Sequence, residues 1–374
     1  MSKMNGQWLG SYTGSTTGSI VVNVDERQEH YQGTAILIED DQALPHSLVS
    51  FQTASKEAKF QFRASPILAL DPRTGNGLSL EELKQRLGND KVFSKYADVS
   101  GVVERESLAM SWTTDAGVEG KCILPRSKAD QPSGLVPLEK NWAQFMEYVS
   151  GLKGSRFLFR GQNEPWRLRT SYHRRGRADL GRFLTEDVPA LYKHLSARTR
   201  HVFNLNIPDE NGAFFNLIQH HGYPTPLLDW TYSPYVAAFF AYRGISNEKA
   251  ASAEVSAKVR IHVFDQESLK KDVNQILFLV APRLHVSIGE FLAIENERMI
   301  PQQAASVITN VDDVEPYIRS MEANSKTYLW AIDLPVSDRR QVVRDLSYMG
   351  ITAGSLFPGL DGACEELTER NFEI

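Results

Sequence analysis

The stretch that decides the fold of most of this chain is Leu227-Leu228-Asp229-Trp230-Thr231, followed after one residue by Ser233-Pro234. Its mainly apolar composition predicts a strand. Ser233 and Pro234 are favoured at the N-cap and first turn of a helix, so an alanine-rich helix is expected to start there. Before the strand, an apolar helix over 214–222 is expected to end with Gly222 in the left-handed conformation.

A second stretch, Phe159-Arg160-Gly161-Gln162, ends an apolar strand that begins near Phe157. An arginine at the carboxyl edge of a strand can grip a phosphate through two parallel hydrogen bonds. Gly161 would permit the close approach of a ligand or of another backbone segment. The residues leave open the alternative that Arg160 is buried in a structural ion pair.

The rest of the carboxyl-terminal part mixes helices and strands. Strand-like runs occur at 156–159, 259–264 and 328–332. An apolar stripe at helical spacing is formed by Trp142, Phe145, Met146 and Val149. This is an α+β pattern rather than regular βαβ alternation. The sequence contains no GxGxxG, Walker A or HExxH motif, so it gives no support for nucleotide loops of those kinds or for zincin chemistry.

The amino-terminal part has the pattern of short antiparallel strands. Period-2 apolar runs at 19–24 and 34–38 are separated by glycine and polar turns, and 115–117 is a hairpin turn signal. Ser79-Leu80-Glu81-Glu82 is a capping box that predicts one short helix. The opening Trp8-Leu9-Gly10-Ser11-Tyr12 is similar to that of lipocalin-like barrels. We expect a barrel-like sensing or binding module, with a barrel filled by its own side chains as the alternative.

A polar, turn-rich segment at 126–134 separates the two patterns. We therefore predict a β-rich barrel-like domain at 1–126, a linker at 127–137 and a mixed α+β domain at 138–374. The chain has 374 residues, which is long enough for two domains of ordinary size.

Composition excludes several classes of protein. Cys122 and Cys364 are the only cysteines, which excludes a disulfide framework and a cysteine-rich zinc site. The sequence has neither the apolar segment of a signal peptide nor a run long enough to span a bilayer, so we expect a cytoplasmic protein without membrane contact. No metal site is predicted.

One basic span stands out in a chain of net charge −5. Between Arg156 and Arg200 there are ten arginines and one lysine against four acidic residues. Polyanions such as nucleic acids are plausible partners of such a span. Arginines that pair with acids elsewhere in the fold are the alternative.

Several segments, in this order, resemble the motifs of the FRG domain of bacteria and phages. They are Phe159-Arg160-Gly161-Gln162, 217–225, Leu227-Leu228-Asp229-Trp230-Thr231, Ser233-Pro234, Ala238-Phe239-Phe240-Ala241, Asn296-Glu297-Arg298, Gln302-Gln303 and 355–362. The resemblance extends over roughly 138–367. The family usually has arginine where this chain has Pro226, which puts any phosphate contact at that position in doubt.

The order of these motifs looks like that of ADP-ribosyltransferases, and this resemblance implies an NAD site. It assigns the catalytic roles to Arg160, Asp229, Gln302 and Gln303. It assigns cofactor binding to Arg160, Gly161, Gln162, His220, Thr231 and Ser233. Gln302 or Gln303 would stand where those transferases carry a glutamate, so Glu295, Glu297 or Asp229 would have to supply the negative charge.

These resemblances imply an NAD-using ADP-ribosyltransferase-like effector, a toxin or an anti-phage defence protein, which modifies a nucleic acid or a protein. The barrel would bind a trigger or regulator. The alternative is a non-enzymatic module that binds nucleic acid or an acidic protein through the arginine-rich span. A nuclease that uses Asp229 and a metal is the third possibility. Convergence of the candidate residues on one cleft would favour the enzyme.

Overall fold

A computed structural model describes residues 3–88, 93–322 and 326–372. Its amino-terminal part is an antiparallel sheet with the strand order β5-β7-β8-β9-β1-β2-β3-β4-β6. The strands are β1 Gly6–Gly14, β2 Thr17–Glu26, β3 Tyr31–Glu39, β4 His46–Gln52, β5 Lys59–Ala64, β6 Ile67–Leu70, β7 Ala97–Val103, β8 Ser107–Thr114 and β9 Glu119–Pro125. Edge strand β5 approaches β4, so the sheet curls into a nearly closed barrel, as predicted.

The hairpin and the short helix that the sequence predicted in the amino-terminal part are confirmed. The predicted hairpin joins β8 to β9, which pair from Ser107↔Pro125 to Thr113↔Glu119. Helix α1, Leu80–Leu87, begins at the predicted capping box, in which Ser79 and Glu82 bond each other's backbone. Inward-facing side chains such as Trp8, Val22 and Leu124 form the barrel core.

The carboxyl-terminal part contains a second sheet with the order β10-β16-β13-β11-β12-β15-β14. Its strands are β10 Leu138–Glu139, β11 Phe157–Gln162, β12 Leu227–Thr231, β13 Lys258–Asp265, β14 Val286–Gly289, β15 Ala304–Thr309 and β16 Leu329–Pro335. Neighbouring strands of this sheet pair antiparallel, except that β10 is parallel to β16. The α+β prediction is therefore confirmed, whereas β11 continues to Gln162 instead of ending at Phe159.

Helices cover this sheet and extend beyond it. They are α2 Trp142–Ser150, α3 Ser171–Arg174, α4 Leu180–Arg182, α5 Val188–Leu195, α6 Pro208–His220, α7 Pro234–Tyr242, α8 Asn247–Ala251, α9 Gln266–Asp272, α10 Val314–Met321, α11 Arg339–Tyr348, α12 Ala353–Leu356 and α13 Leu360–Phe372. A π-helical turn at Phe183–Asp187 and a 3-10 turn at Val336–Asp338 precede α5 and α11. Within the described ranges, no helix is long and apolar enough to cross a membrane.

The predicted caps on either side of β12 are confirmed. Gly222, just after α6, has a φ of 86°, and its amide donates to the carbonyl of Gln219. The Ser233 hydroxyl accepts from the amide of Val236 at 3.2 Å and caps α7. These local devices fix where β12 enters and leaves the sheet.

Gly161 serves the packing of α7 on β11. A Cβ at this position would collide with the carbonyl oxygen of Ala237 and would crowd the amide of Ala241. The sequence predicted that Gly161 permits the close approach of a ligand or of another backbone segment. In the fold, the backbone of α7 is the segment that approaches it.

Side-chain contacts hold the segment predicted as a linker in place at Arg126, just before it, and at Ser133, within it. The Arg126 guanidinium donates to the carbonyls of Lys3 and Arg105 and lies over the Trp8 ring at 4.5 Å. The Ser133 hydroxyl donates to Glu315 at 2.9 Å. Between these anchors, the turn from Lys128 to Gln131 has mainly exposed residues.

The barrel and the second sheet are also joined by buried polar contacts. The Asp25 carboxylate at the end of β2 is completely buried, and it accepts hydrogen bonds from Arg177 and Arg182 at 2.9 and 2.8 Å. It also accepts from the backbone amides of Ala178 and Asp179. One barrel carboxylate therefore holds the chain segment that follows α3.

We expect trypsin to cut the native chain first after Lys128, because an exposed turn is easier to unfold locally than the anchored segments beside it. The two fragments should remain associated, since the Asp25 contacts do not involve the cut segment. Limited proteolysis followed by native size-exclusion chromatography measures both. A first cut inside either sheet would contradict the predicted division at 127–137, and separation of the fragments would contradict the coupling through Asp25.

Candidate functional site

A cleft opens where β11 and β12 separate. These neighbouring strands pair at a single position, Phe159↔Thr231. Beyond it they diverge, and the space between them continues into a cleft with a volume of about 820 Å³. This is within the range of roughly 300–1,000 Å³ that small-molecule and cofactor sites occupy.

Most of the residues singled out in the sequence meet in this cleft. Its lining includes Arg160, Gly161, Gln162, His220, Asp229, Thr231 and Gln302. Ser233 and Gln303 are not among the lining residues. Ser233 is buried at the cap of α7, and Gln303 is exposed with a φ of 46°. From α7 the cleft receives Ala237 and Phe240, so the middle of this helix lies there and its capped N-terminus does not.

Arg160 bridges the gap between the two strands. One guanidinium nitrogen donates to the backbone carbonyl of Asp229 at 2.5 Å. Its buried Nε has no hydrogen-bond partner among the described residues. Burial, together with nearby Arg174, lowers the pKa of Arg160 to about 10 against the opposing effect of Asp229. The side chain is thus still a cation at neutral pH, with donor capacity left for an anion.

Asp229 is held in a fixed orientation by a short chain of side chains. Its carboxylate accepts from the Gln219 amide nitrogen, and the Gln219 amide oxygen accepts from the Thr225 hydroxyl. The carboxylate is only half-buried and lines the cleft. It is therefore oriented and still accessible.

The two other acids proposed to supply charge lie elsewhere. Glu295 accepts from the backbone amides of Arg200 and His201, both at 2.8 Å. Glu297 is exposed, and neither residue is in the cleft lining. Asp229 and Glu164 are the carboxylates of the lining, and Glu164 is exposed at its rim.

The neutral candidates are mostly engaged with the fold. The Thr231 hydroxyl donates to the carbonyl of Gln302 at 2.7 Å, and the Gln302 amide donates to Leu356 at 2.9 Å. His220 Nδ1 lies 2.8 Å from the Asn296 side-chain oxygen. Gln162 differs, because its buried Oε1 has no partner in the described part of the chain. Among the residues assigned from sequence, the polar atoms left for a ligand are therefore those of Arg160, Gln162 and Asp229.

Several cleft residues were not assigned a role from sequence. They are Trp166, Arg174, Phe240, Arg243, Arg298 and Phe357. Together with Arg160, the cleft lining contains four arginines and two carboxylates, so its net charge is positive. Arg243 forms two 2.7 Å hydrogen bonds with Glu365, whereas Arg174 is exposed, with no side-chain hydrogen bond or ion pair in the described ranges. Arg298 and Phe357 lie inside the distal motifs Asn296-Glu297-Arg298 and 355–362. These motifs were the sequence feature from which a role in the cleft could have been predicted for both residues.

The arginine-rich span does not form a continuous cationic stripe. Five of its ten arginines have carboxylate partners: Arg156 with Asp265, Arg167 with Asp313, Arg169 with Asp312, Arg177 with Asp25 and Asp187, and Arg182 with Asp25 and Glu186. This matches the alternative of structural ion pairs for half of the span. The positive charge that remains is partly in the cleft, at Arg160 and Arg174.

Residues 155–250 match the family model of the FRG domain. The FRG segment runs from the start of β11 into α8 and includes Arg160, Arg174, His220 and Asp229. It is shorter than the resemblance noted from the motifs, and Arg298, Gln302 and Phe357 reach the cleft from outside it. No curated protein and no solved structure matches the chain. No group of three or more His, Cys, Asp or Glu residues suited to a metal occurs within the described ranges.

Proposed function

We propose that the FRG cleft binds NAD as a substrate and transfers its ADP-ribose group to a nucleic acid or a protein. The observation that carries this proposal is the meeting of Arg160, Gln162 and Asp229 in one positive cleft, each with capacity left for a ligand. An effector of this kind would act as a toxin or in defence against phages.

Arg160 and Arg174 would hold the pyrophosphate. Both are cations of the cleft, and neither has a carboxylate hydrogen-bonded to its guanidinium in the part of the chain that the structure describes. Guanidinium groups bind phosphate oxygens through paired, charge-assisted hydrogen bonds. A pyrophosphate between two such groups would fix the distance from the phosphates to the scissile glycosidic bond.

Asp229 would supply the negative charge for bond cleavage. As the bond from ribose C1′ to nicotinamide breaks, nicotinamide leaves with the bonding electron pair and C1′ becomes cationic. A carboxylate fixed by Gln219 would stabilise this charge without reorganising. An acceptor oxygen or nitrogen then forms the new bond to C1′ and releases its proton.

Aromatic side chains would stack on the rings of the substrate. Phe240 and Phe357 lie edge-to-face in the cleft lining, with ring centroids 5.9 Å apart, and Trp166 is half exposed at the rim. The faces of Trp166 and Phe240 suit a nicotinamide or adenine ring, because stacking on aromatic side chains stabilises planar bases, whereas Phe357 is buried with the Arg243 guanidinium 4.0 Å from its ring centroid.

We expect Arg160→Lys to weaken NAD binding about tenfold or more, because lysine keeps the charge but lacks the planar pair of donors. Arg175→Lys is the matched control, since Arg175 is exposed and outside the cleft lining. Calorimetric titration of the full chain with NAD measures both. Equal NAD affinity of the two variants and the wild type would rule out the phosphate role of Arg160.

A further inference from the structure

The barrel contains a second cavity, whose lining shares no residue with that of the FRG cleft. It has a volume of about 240 Å³ and lies inside the sheet, against the apolar core. Its wall includes Val22, Phe51, Phe62, Met110 and Trp112. An apolar protein cavity of about 150 Å³ is already large enough to bind benzene. The barrel interior is therefore large enough for a small organic molecule.

Several polar side chains interrupt this apolar wall, and two of them, Tyr12 and Glu39, have buried atoms without a hydrogen-bond partner among the described residues. The Tyr12 side chain has an exposed fraction of 3%, and its hydroxyl has no hydrogen-bond partner among the described residues. The same holds for the buried Oε2 of Glu39. Burial raises the pKa of the Tyr12 phenol and nearby Glu39 raises it further, although Thr16 acts in the opposite direction. The phenol is therefore a neutral group close to the Glu39 carboxyl, but neither its hydroxyl nor the buried Oε2 of Glu39 makes a hydrogen bond of normal geometry within the described ranges.

The missing partner of Glu39 has the properties of a cation. No Lys, Arg or His is found among the described residues that line the cavity. Two carboxylates, Glu39 and Glu119, line the cavity, so its negative charge has no cationic partner among those lining residues. A bound molecule with a protonated amine would supply both the charge and the hydrogen-bond donors, and its apolar body would contact the aromatic wall.

We propose that the barrel cavity binds a small aromatic or alicyclic amine, with the ammonium group at Glu39 and Tyr12 and the ring among Phe51, Phe62 and Trp112. This site is separate from the proposed reaction and does not depend on it. It gives the barrel a ligand of defined chemistry.

Calorimetric titration of the full chain with 2-phenylethylamine tests the proposal, with ethylbenzene as the neutral probe. We expect saturable one-to-one binding of the amine and binding of ethylbenzene that is at least tenfold weaker. Glu39→Gln should reduce the amine affinity by about tenfold or more and leave ethylbenzene unaffected. Glu57→Gln is the control, because Glu57 is an exposed acid of the same barrel and is not in the cavity wall.

A thermal melt without ligand provides a second test. If Glu39 lacks a partner in the free protein, Glu39→Gln should raise the melting temperature, whereas Glu57→Gln should leave it unchanged. Equal amine affinity of wild type and Glu39→Gln would overturn the proposal, and so would the absence of amine binding or equal affinity for amine and ethylbenzene. A lower melting temperature of Glu39→Gln would show that the carboxylate already has a stabilising partner and would also contradict the site.

Discussion

Asp229→Asn is expected to lower the rate of nicotinamide release from NAD by about 10²- to 10³-fold, the size of effect seen when one preorganised electrostatic contact to a reacting centre is removed. Asparagine keeps the shape of the side chain and an oxygen that can accept from Gln219. The substitution therefore removes charge while the orienting contact remains possible. Initial rates of nicotinamide release at saturating NAD measure the effect.

Glu164→Gln is the matched control for this prediction. Glu164 is the other carboxylate of the cleft lining, but it is exposed at the rim. We expect the Glu164→Gln variant to release nicotinamide at a rate close to that of wild type. Thermal melts separate a catalytic role from a folding role, because a structural aspartate predicts a lower melting temperature for Asp229→Asn. If Asp229→Asn releases nicotinamide at the wild-type rate, the Asp229 carboxylate does not supply the negative charge for bond cleavage.

The second large effect is expected on stability, at the junction of the two sheets. Asp25→Ala should lower the free energy of unfolding by about 3–5 kcal/mol, because it leaves Arg177 and Arg182 without their completely buried partner. The amides of Ala178 and Asp179 would lose their acceptor as well. Denaturant titration of the full chain measures the loss.

Asp98→Ala is the control for Asp25. Asp98 pairs with Arg63 at 2.8 Å, but both side chains are more than half exposed, and exposed pairs contribute little to stability. Since Arg174 precedes the segment that Asp25 holds, we also expect weaker NAD binding by Asp25→Ala. Unchanged stability of this variant would mean that the barrel and the FRG segment are not coupled through Asp25.

The sequence predicted those features that depend on neighbouring residues. The capping box at Ser79, the left-handed Gly222 and the N-cap at Ser233 are local backbone devices, and all three are present. Period-2 apolar runs predicted β2 and β3 because alternate residues such as Ile20, Val22 and Ala35 face the barrel core, although neighbours such as Val21 and Ile36 are buried as well. These signals were enough to indicate a barrel-like sheet followed by an α+β part.

The cleft itself could not be derived from local patterns. It exists because β11 and β12 pair at only one position, and no run of residues encodes that separation. Arg174 enters it from α3, and Phe357 follows α12, almost two hundred residues later. Distant segments such as these could be assigned to one site only through the resemblance of the ordered motifs to those of the FRG domain.

Pairing over long distances also decides between the alternatives that the sequence left open. Half of the basic span is neutralised by acids that include Asp25, Asp265, Asp312 and Asp313, most of them more than a hundred residues away. Gly161 is required by the backbone of α7, which the sequence could not distinguish from a ligand. In each case the deciding partner belongs to another element of the fold.

The central claim is that the FRG cleft cleaves NAD, and nicotinamide release by the purified full chain tests it most directly. The chain would be incubated with NAD labelled in its ADP-ribose group, together with cell extract as a source of acceptor and trigger. We expect free nicotinamide and a labelled macromolecule, both strongly reduced with Arg160→Lys and Asp229→Asn. If the folded wild-type chain releases no nicotinamide and transfers no label, the cleft is not an ADP-ribosyltransferase site.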